Sequence, residues 1–313
     1  MRKLSVISPV YNEGEGLKTF FAAMVEQMAT GRLADYDVEV IMVDNASTDD
    51  SAVYLEEISK ADRRFKVIFN ARNVGVFLSS FNALRFAKGD AVFLMVPSDL
   101  QDPLALMQEM VAKWEQGYPL IAGRRLQRDE APMMRGMRNI FYRLLDRITD
   151  HPMRPGVGEY QLADRKIVDE LLAIPDALPF VRGMLGELGY EPQIIDYVWS
   201  SRQWGKSSFS FRRLLRTAYD ITFSFSRMPL KLIMQAGFLI ALLSFVFCVV
   251  QVILILADGK IAGRGIPTLI GGLFFFSGIN AMFLGVIGEY VGRSYHQLRY
   301  GRRVAIRRQL NFD

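Results

Sequence analysis

The chain has 313 residues, half of them apolar, and a net charge of +5 at neutral pH. That length admits one large domain or two modest ones. A single cysteine, Cys248, excludes an intramolecular disulfide and points to a reduced compartment for the soluble part. The modest charge gives no ground for expecting a nucleic-acid partner.

Residues 1–228 have an ordinary soluble composition; residues 229–292 do not. Met1-Arg2-Lys3 runs straight into a strand-like segment, so no secretory signal peptide is expected. In chain order, short apolar runs predict strands at Leu4–Ser8, Val38–Asp44, Lys66–Asn70, Ala91–Val96 and Leu120–Gly123. Helical spacing of apolar residues predicts helices at Glu15–Ala29, Asp50–Ala61, Gly75–Ala87 and Leu104–Gln116. Pro103 suits a helix start, where its missing N–H would go unpaired anyway. This alternation predicts an α/β domain of parallel βαβ units. Polar residues follow three of the strands: Tyr11-Asn12-Glu13, then Asp44 to Asp49, then the turn with Asp99, Gln101 and Asp102. Ligands of open α/β sheets bind outside the carboxyl ends of strands. The three polar ends therefore predict one crevice.

Further along, Gly158–Leu162 and Gln193–Ser200 read as additional strands. Phe209–Ser226 has apolar residues at helical spacing with Arg212, Arg213 and Arg216 among them, the pattern of an amphipathic helix on an anionic membrane surface. Leu232–Ala257 and Ile266–Val291 are nearly unbroken apolar runs. Each would extend about 39 Å as a helix at ~1.5 Å per residue, and a bilayer core needs roughly 20 residues. Two membrane spans are expected. Basic residues flank the pair on the outer sides, including Arg227 and Lys231 before it and Arg293, Arg299, Arg302 and Arg303 after it. The connector carries only Lys260 and Arg264. The positive-inside rule then puts both termini in the cytoplasm. The expected organisation is a cytoplasmic domain over 1–207, an interfacial helix over 208–228, a transmembrane hairpin over 229–292 and a basic tail over 293–313. Gly288 and Gly292 form a small-xxx-small pair suited to helix packing, and the spans and tail would support a homo-oligomer.

The turn after Val92–Val96 carries the chemistry. Carboxylate and amide oxygens on Asp99 and Gln101 suit a hard divalent cation and the diphosphate it bridges. Around it stand further motifs: SPVYNEGEGL (Ser8–Leu17), VDNASTDDS (Val43–Ser51), NVGVFLSSFNAL (Asn73–Leu84), GRRLQR (Gly123–Arg128), GEYQLADRK (Gly158–Lys166), RQWGKSSFSFRRLL (Arg202–Leu215) and GVIGEYVGRSY (Gly285–Tyr295). Taken in order, this set resembles the polyisoprenyl-phosphate glycosyltransferases of the dolichol-phosphate mannose synthase type, within the family-2 inverting glycosyltransferases. The resemblance implies a Rossmann-like nucleotide-sugar domain of the GT-A type. It implies that Pro9, Tyr11 and Glu13 line the nucleotide pocket, with Asp44 accepting hydrogen bonds from base or ribose. Asp99 and Gln101 would hold Mg²⁺ or Mn²⁺ on the donor diphosphate. Arg125 and Arg128 would meet a lipid phosphate, since the arginine fork suits a phosphate dianion. Arg202 and Lys206 would sit on a loop that closes over the donor. The reaction implied is a single inverting displacement from a nucleotide sugar to a polyprenyl phosphate of undecaprenyl or dolichyl type, at the cytoplasmic face of a membrane, most simply a bacterial inner membrane.

Several residues have plainer readings. Asp44 could cap its own turn with Ser47, Asp49 the helix from Ser51, and Asp102 the helix from Pro103. The chain also departs from the family pattern. Pro97-Ser98-Asp99 replaces the usual Asp-x-Asp, Asp44-Asn45 the usual acidic pair, and Glu159 with Gln161 the usual Asp and basic residue. Glu159 keeps a carboxylate that could meet a sugar hydroxyl. The loss at Pro97 predicts weaker cation binding. Two alternatives stand beside the main reading: a processive polysaccharide synthase, and a weakly active or inactive membrane scaffold. The Gly-rich loop of dinucleotide oxidoreductases is missing from Ser8–Leu17.

Overall fold

The computed structural model describes residues 1–126, 156–174, 179–198, 228–258, 266–300 and 304–312. The chain divides into two compact units. One comprises Met1–Asp146, His151–Phe209 and Arg299–Asp313; the other comprises Arg147–Asp150 and Ser210–Leu298.

The first unit is built on an eight-stranded sheet: β1 (Lys3–Val10), β2 (Asp37–Asp44), β3 (Phe65–Asn70), β4 (Ala91–Phe93), β5 (Leu120–Arg125), β6 (Val157–Asp164), β7 (Gln193–Tyr197) and β8 (Ile306–Leu310), in the spatial order β7-β5-β6-β4-β1-β2-β3-β8. The pairs β1–β2, β1–β4, β2–β3 and β5–β7 are parallel. β6 runs antiparallel between β4 and β5, and β8 antiparallel on β3. The local βαβ units are thus as their sequence pattern predicts, but the sheet is mixed. Inserting β6 brings its amino end, Val157 to Glu159, to the same edge as the carboxyl ends of the parallel strands.

Alternating side chains on the strands feed two apolar layers. On one face Leu4, Val6, Val40, Met42 and Phe93 pack with α1 (Gly16–Ala29), α2 (Ser51–Ala61) and α4 (Leu106–Glu115). On the other, Ile7, Ile41, Val43 and Val92 pack with α3 (Val76–Leu84), α5 (Arg165–Ala173) and α6 (Val181–Glu187). Both faces are covered, so the central strands are mostly apolar on both sides rather than alternating.

A charged group is buried at the amino edge. Glu39 is 2% exposed. It accepts hydrogen bonds from Ser5 Oγ (2.6 Å), Lys66 Nζ (2.7 Å) and the Lys88 backbone (2.7 Å). Burial opposes its charge, but these donors more than offset that, and its pKa is lowered.

Residues 293–313 hold more structure than a basic tail. Arg293–Tyr300 ends a long helix, and Ile306–Leu310 is β8. Ile306, Leu310 and Phe312 pack on the two apolar layers. Asn311 Nδ2 donates to the carbonyls of Ser59 (2.7 Å) and Phe65 (2.8 Å). Arg308 pairs with Glu56 and lies over the Phe69 ring at 4.4 Å. The basic composition hides a strand whose apolar ends are its anchors.

The second unit holds α7 (Met228–Asp258, 31 residues) and α8 (Ile266–Tyr300, 35 residues). Large apolar side chains on both are exposed, among them Phe238, Phe245, Phe274 and Leu284. Among the described residues one segment, Gly272–Gly292, is long and apolar enough to cross a membrane; Leu232–Phe247 in α7 is a shorter apolar stretch. The first of the two spans expected from sequence therefore does not meet that length criterion. The amphipathic segment Phe209–Ser226 lies outside the described residues.

Candidate active site at the carboxyl edge of the sheet

Three loops meet at the carboxyl ends of β1, β2 and β4. Asn12, after β1, locks onto the β2 loop: its backbone N–H donates to Ser47 Oγ (3.0 Å), and its Oδ1 accepts from the Thr48 backbone (2.8 Å). Ser51 Oγ accepts from Glu13 N (3.0 Å) and Gly14 N (2.9 Å). Pro9 and Glu13 are half-buried, and Tyr11 is 45% exposed. Asp44 is buried, and its Oδ1 accepts from Ser47 N (3.1 Å). Burial raises its pKa, against the Ser47 hydrogen bonds. Asp49 Oδ1 accepts from Ser51 N (3.0 Å) at the start of α2. Asn45 ties the β2 end to the β3 loop, donating to Asn73 Oδ1 (2.9 Å) and accepting from Val74 N (3.0 Å).

Four described non-glycine residues have positive φ: Asn12 (54°), Ala46 (60°), Leu100 (54°) and Asn311 (61°). Three of them sit on these loops. Ala46 and Leu100 lack the short polar side chain that eases this conformation. Such strain persists where the surroundings over-determine it, and it clusters at functional sites. Leu100 stands between Asp99 and Gln101 and sets the turn that carries both. Gln101 N donates to Asp99 Oδ1 (3.2 Å), and Ser98 Oγ bridges to the Pro9 carbonyl (3.3 Å).

On the β5–β6–β7 side the anchor is Arg125, at the end of β5. Its Nε and Nη2 donate to Asp102 Oδ1 (3.1 Å) and Oδ2 (2.8 Å). Asp102 is 1% exposed. Burial works against the charge on Arg125; the carboxylate of Asp102 and then Tyr197 overcome it, and the guanidinium pKa is raised. This corrects the capping role expected for Asp102. α4 begins at Leu106 behind a turn from Pro103, with no side-chain cap, and the carboxylate turns to β5 instead. The half-buried arginine and the buried carboxylate of Asp102 each need an opposite charge where water is largely excluded.

Glu159 lies at the start of β6 on the opposite face of the sheet. Burial raises its pKa, while the charges of Arg182 and Arg125 draw it back. Arg182, on α6, donates to the Val157 carbonyl and stacks over Phe180 at 5.1 Å. Neither Arg182 nor Tyr197 stood out in the sequence. Arg128, Arg202 and Lys206 lie outside the described residues.

The edge thus gathers Asp44, Asp99, Gln101, Arg125 and Glu159. For a divalent cation the protein's own contribution is small. Pro97 offers no ligand, Asp102 is committed to Arg125, and the described residues contain no cluster of three His, Cys, Asp or Glu able to hold an ion. One carboxylate and one amide fit a cation that draws its other ligands from a diphosphate and water, as Mg²⁺ commonly does.

A mixed α/β sheet thus carries strained, polar loops at one edge. The family model for glycosyl transferase family 2 matches residues 5–172, and the chain belongs to that family; it is a glycosyltransferase. It is 33% identical to the uncharacterized glycosyltransferase YkcC of Bacillus subtilis, over 94% of this chain and 90% of that one. It is 28% identical to the bactoprenol glucosyl transferase of Shigella phage SfV, over 98% of this chain and 99% of the relative. Among solved structures, a mannosyltransferase of Pyrobaculum calidifontis in complex with GDP-Man and Mn²⁺ aligns at 17% identity with a TM-score of 0.49, covering 96% of this chain and 88% of that one.

Proposed function

We propose that this glycosyltransferase moves a sugar from a nucleotide-diphosphate donor to a polyprenyl phosphate in a membrane. The observation that carries the reading is the pairing of two features in one chain. The carboxyl edge sets a carboxylate–amide turn, Asp99 and Gln101, near a held guanidinium, Arg125. The same chain then runs through a helix segment apolar enough to cross a bilayer. A bactoprenol glucosyl transferase aligned end to end with the chain supports a lipid-phosphate acceptor.

In this reading Tyr11, Glu13 and Asp44 bind the base and ribose. Asp99 and Gln101 hold a divalent cation, which neutralises charge on the donor diphosphate when bound. Arg125 orients the acceptor phosphate, together with Arg128. One phosphate oxygen of the lipid attacks the anomeric carbon from the face opposite the nucleoside diphosphate. The C–O bond to the diphosphate breaks as the new one forms, and the configuration inverts. The phosphate is ionised near neutral pH, so no strong general base is needed. In the same reading Glu159 would meet a sugar hydroxyl, and Arg202 and Lys206 would stabilise the departing diphosphate.

Chain topology supports two membrane crossings rather than one. The chain leaves the sheet after β7 and rejoins it as β8 on β3. A chain that starts and ends in one water-exposed sheet crosses an intervening bilayer an even number of times. If Gly272–Gly292 crosses, α7 supplies the return crossing, with both termini on the cytoplasmic side that the flanking arginines favour. Incubating membranes with polyprenyl phosphate and a panel of nucleotide sugars, with mass spectrometry of the lipids, tests the function. A lipid gaining one sugar residue supports it; unchanged lipid with every donor sinks it.

A further inference from the structure

Arg125 occupies a built seat. Its Nε–Nη2 edge is held side-on by Asp102, and Nε also reaches the Tyr197 hydroxyl at 2.9 Å. That hydroxyl donates to Asp102 Oδ1 at 2.5 Å, closing a three-membered network. One glycine makes room for it. A Cβ at Gly123 would fall 2.7 Å from Tyr197 Cε1, so only a bare backbone lets the ring lie on β5. A Cβ at Gly158 would stand 3.7 Å from Arg125 Cζ, so the guanidinium rests beside the β6 backbone. The Tyr160 ring meets Tyr197 edge to face at 6.4 Å.

Stability alone does not account for this arrangement. A buried ion pair is often no more stabilising than apolar residues of the same volume. What such a network supplies is direction. A free arginine side chain samples many rotamers, and ordering it on substrate binding weakens binding. Here the plane of the guanidinium is set before any ligand arrives. Burial and the Asp102 carboxylate push the Tyr197 phenol up, so it stays protonated and keeps donating near neutral pH.

We propose that Tyr197 and Asp102 are positioning residues for the acceptor: they act through Arg125, fixing its guanidinium where the lipid phosphate docks, and do not touch substrate themselves. This rests on the reading that Arg125 meets the acceptor phosphate.

The test uses the full chain in detergent, comparing wild type, Tyr197→Phe, Arg125→Ala and the double variant. Binding of polyprenyl phosphate is measured directly, alongside KM for acceptor and donor and the thermal midpoint. Tyr197→Phe, which removes one hydroxyl and keeps the ring, is expected to weaken acceptor binding and raise acceptor KM about tenfold. Donor KM should stay near wild type, and the lost hydrogen bonds should lower the thermal midpoint without preventing folding. In the Arg125→Ala background the same change should add nothing, because its route of action is gone. Equal effects on donor and acceptor, or a full additional loss in the double variant, would overturn the inference. Asp102→Asn gives the same pattern if it folds; Tyr197→Phe decides if it does not. Failure of wild type to bind polyprenyl phosphate overturns the acceptor reading and this inference with it. A wild type that binds, beside a Tyr197→Phe variant that binds equally well, overturns the inference alone.

Discussion

Asp99 carries the largest single consequence at the scale of residues. It is the one carboxylate the turn offers beside Gln101, since Pro97 stands where a second would be. Asp99→Asn is expected to cut transfer by about 100-fold or more, in the range seen when one electrostatic stabiliser is removed, with the thermal midpoint little changed. A Mg²⁺ or Mn²⁺ titration checks the companion expectation. Saturable cation binding should need nucleoside diphosphate present, because one carboxylate and one amide make a poor site alone. Ala46 offers a probe of the strained loop. At φ 60°, Ala46→Gly should be neutral or stabilising, whereas Ala46→Val, β-branched, should cost ~1–3 kcal/mol by thermal or chemical unfolding. The positions of these residues, though not their roles, were readable in advance. Asp44, Asp99, Gln101, Arg125 and Glu159 all follow or precede apolar runs, and strand ends converge on an edge. The partner of Asp102 was not readable. A carboxylate just before Pro103 looks like a helix cap, and only the three-dimensional pairing of β5 with β7 brings Arg125 and Tyr197 to it.

Among elements, the amino edge and the last strand set stability rather than chemistry. Glu39 has a pKa below its ordinary value, so the unfolded chain binds a proton more readily than the folded one. Its stabilising contribution is present above the ordinary glutamate pKa and is lost as pH falls through the lowered folded value. Glu39→Gln should cost about 1–3 kcal/mol at neutral pH, because half-buried Lys66 loses its carboxylate partner. The difference from wild type should shrink as the pH approaches 4 and below. Unfolding curves of the two proteins between pH 7 and 3.5 check both parts. β8 makes a separate prediction. Asn311→Ala removes two hydrogen bonds, to the carbonyls of Ser59 in α2 and Phe65 in β3, and should cost ~1–3 kcal/mol. β1 to β5 were legible because each is a local apolar run. β8 was not, because Arg307, Arg308 and Gln309 dominate its composition and its strand character comes from pairing with β3 at the far end of the sequence.

At the level of the whole molecule, the C-terminal strand β8 completes the sheet by pairing with β3. Cysteine labelling should reach a probe at Lys260 from outside the cell and one at Gln309 only after permeabilisation. Equal access at both positions would contradict a paired crossing. The apolar stretches themselves were plain in the sequence, since composition alone reveals them. Their helical bounds were not, because α7 and α8 run beyond the apolar stretches they contain. The central claim is the acceptor, and mass spectrometry of polyprenyl phosphates after incubation with a nucleotide-sugar panel tests it most directly. The account predicts that one donor adds a single sugar to the lipid phosphate with wild-type protein and fails to do so with Asp99→Asn. Lipid that stays unmodified with every donor, by protein that demonstrably binds a nucleotide sugar, would contradict it.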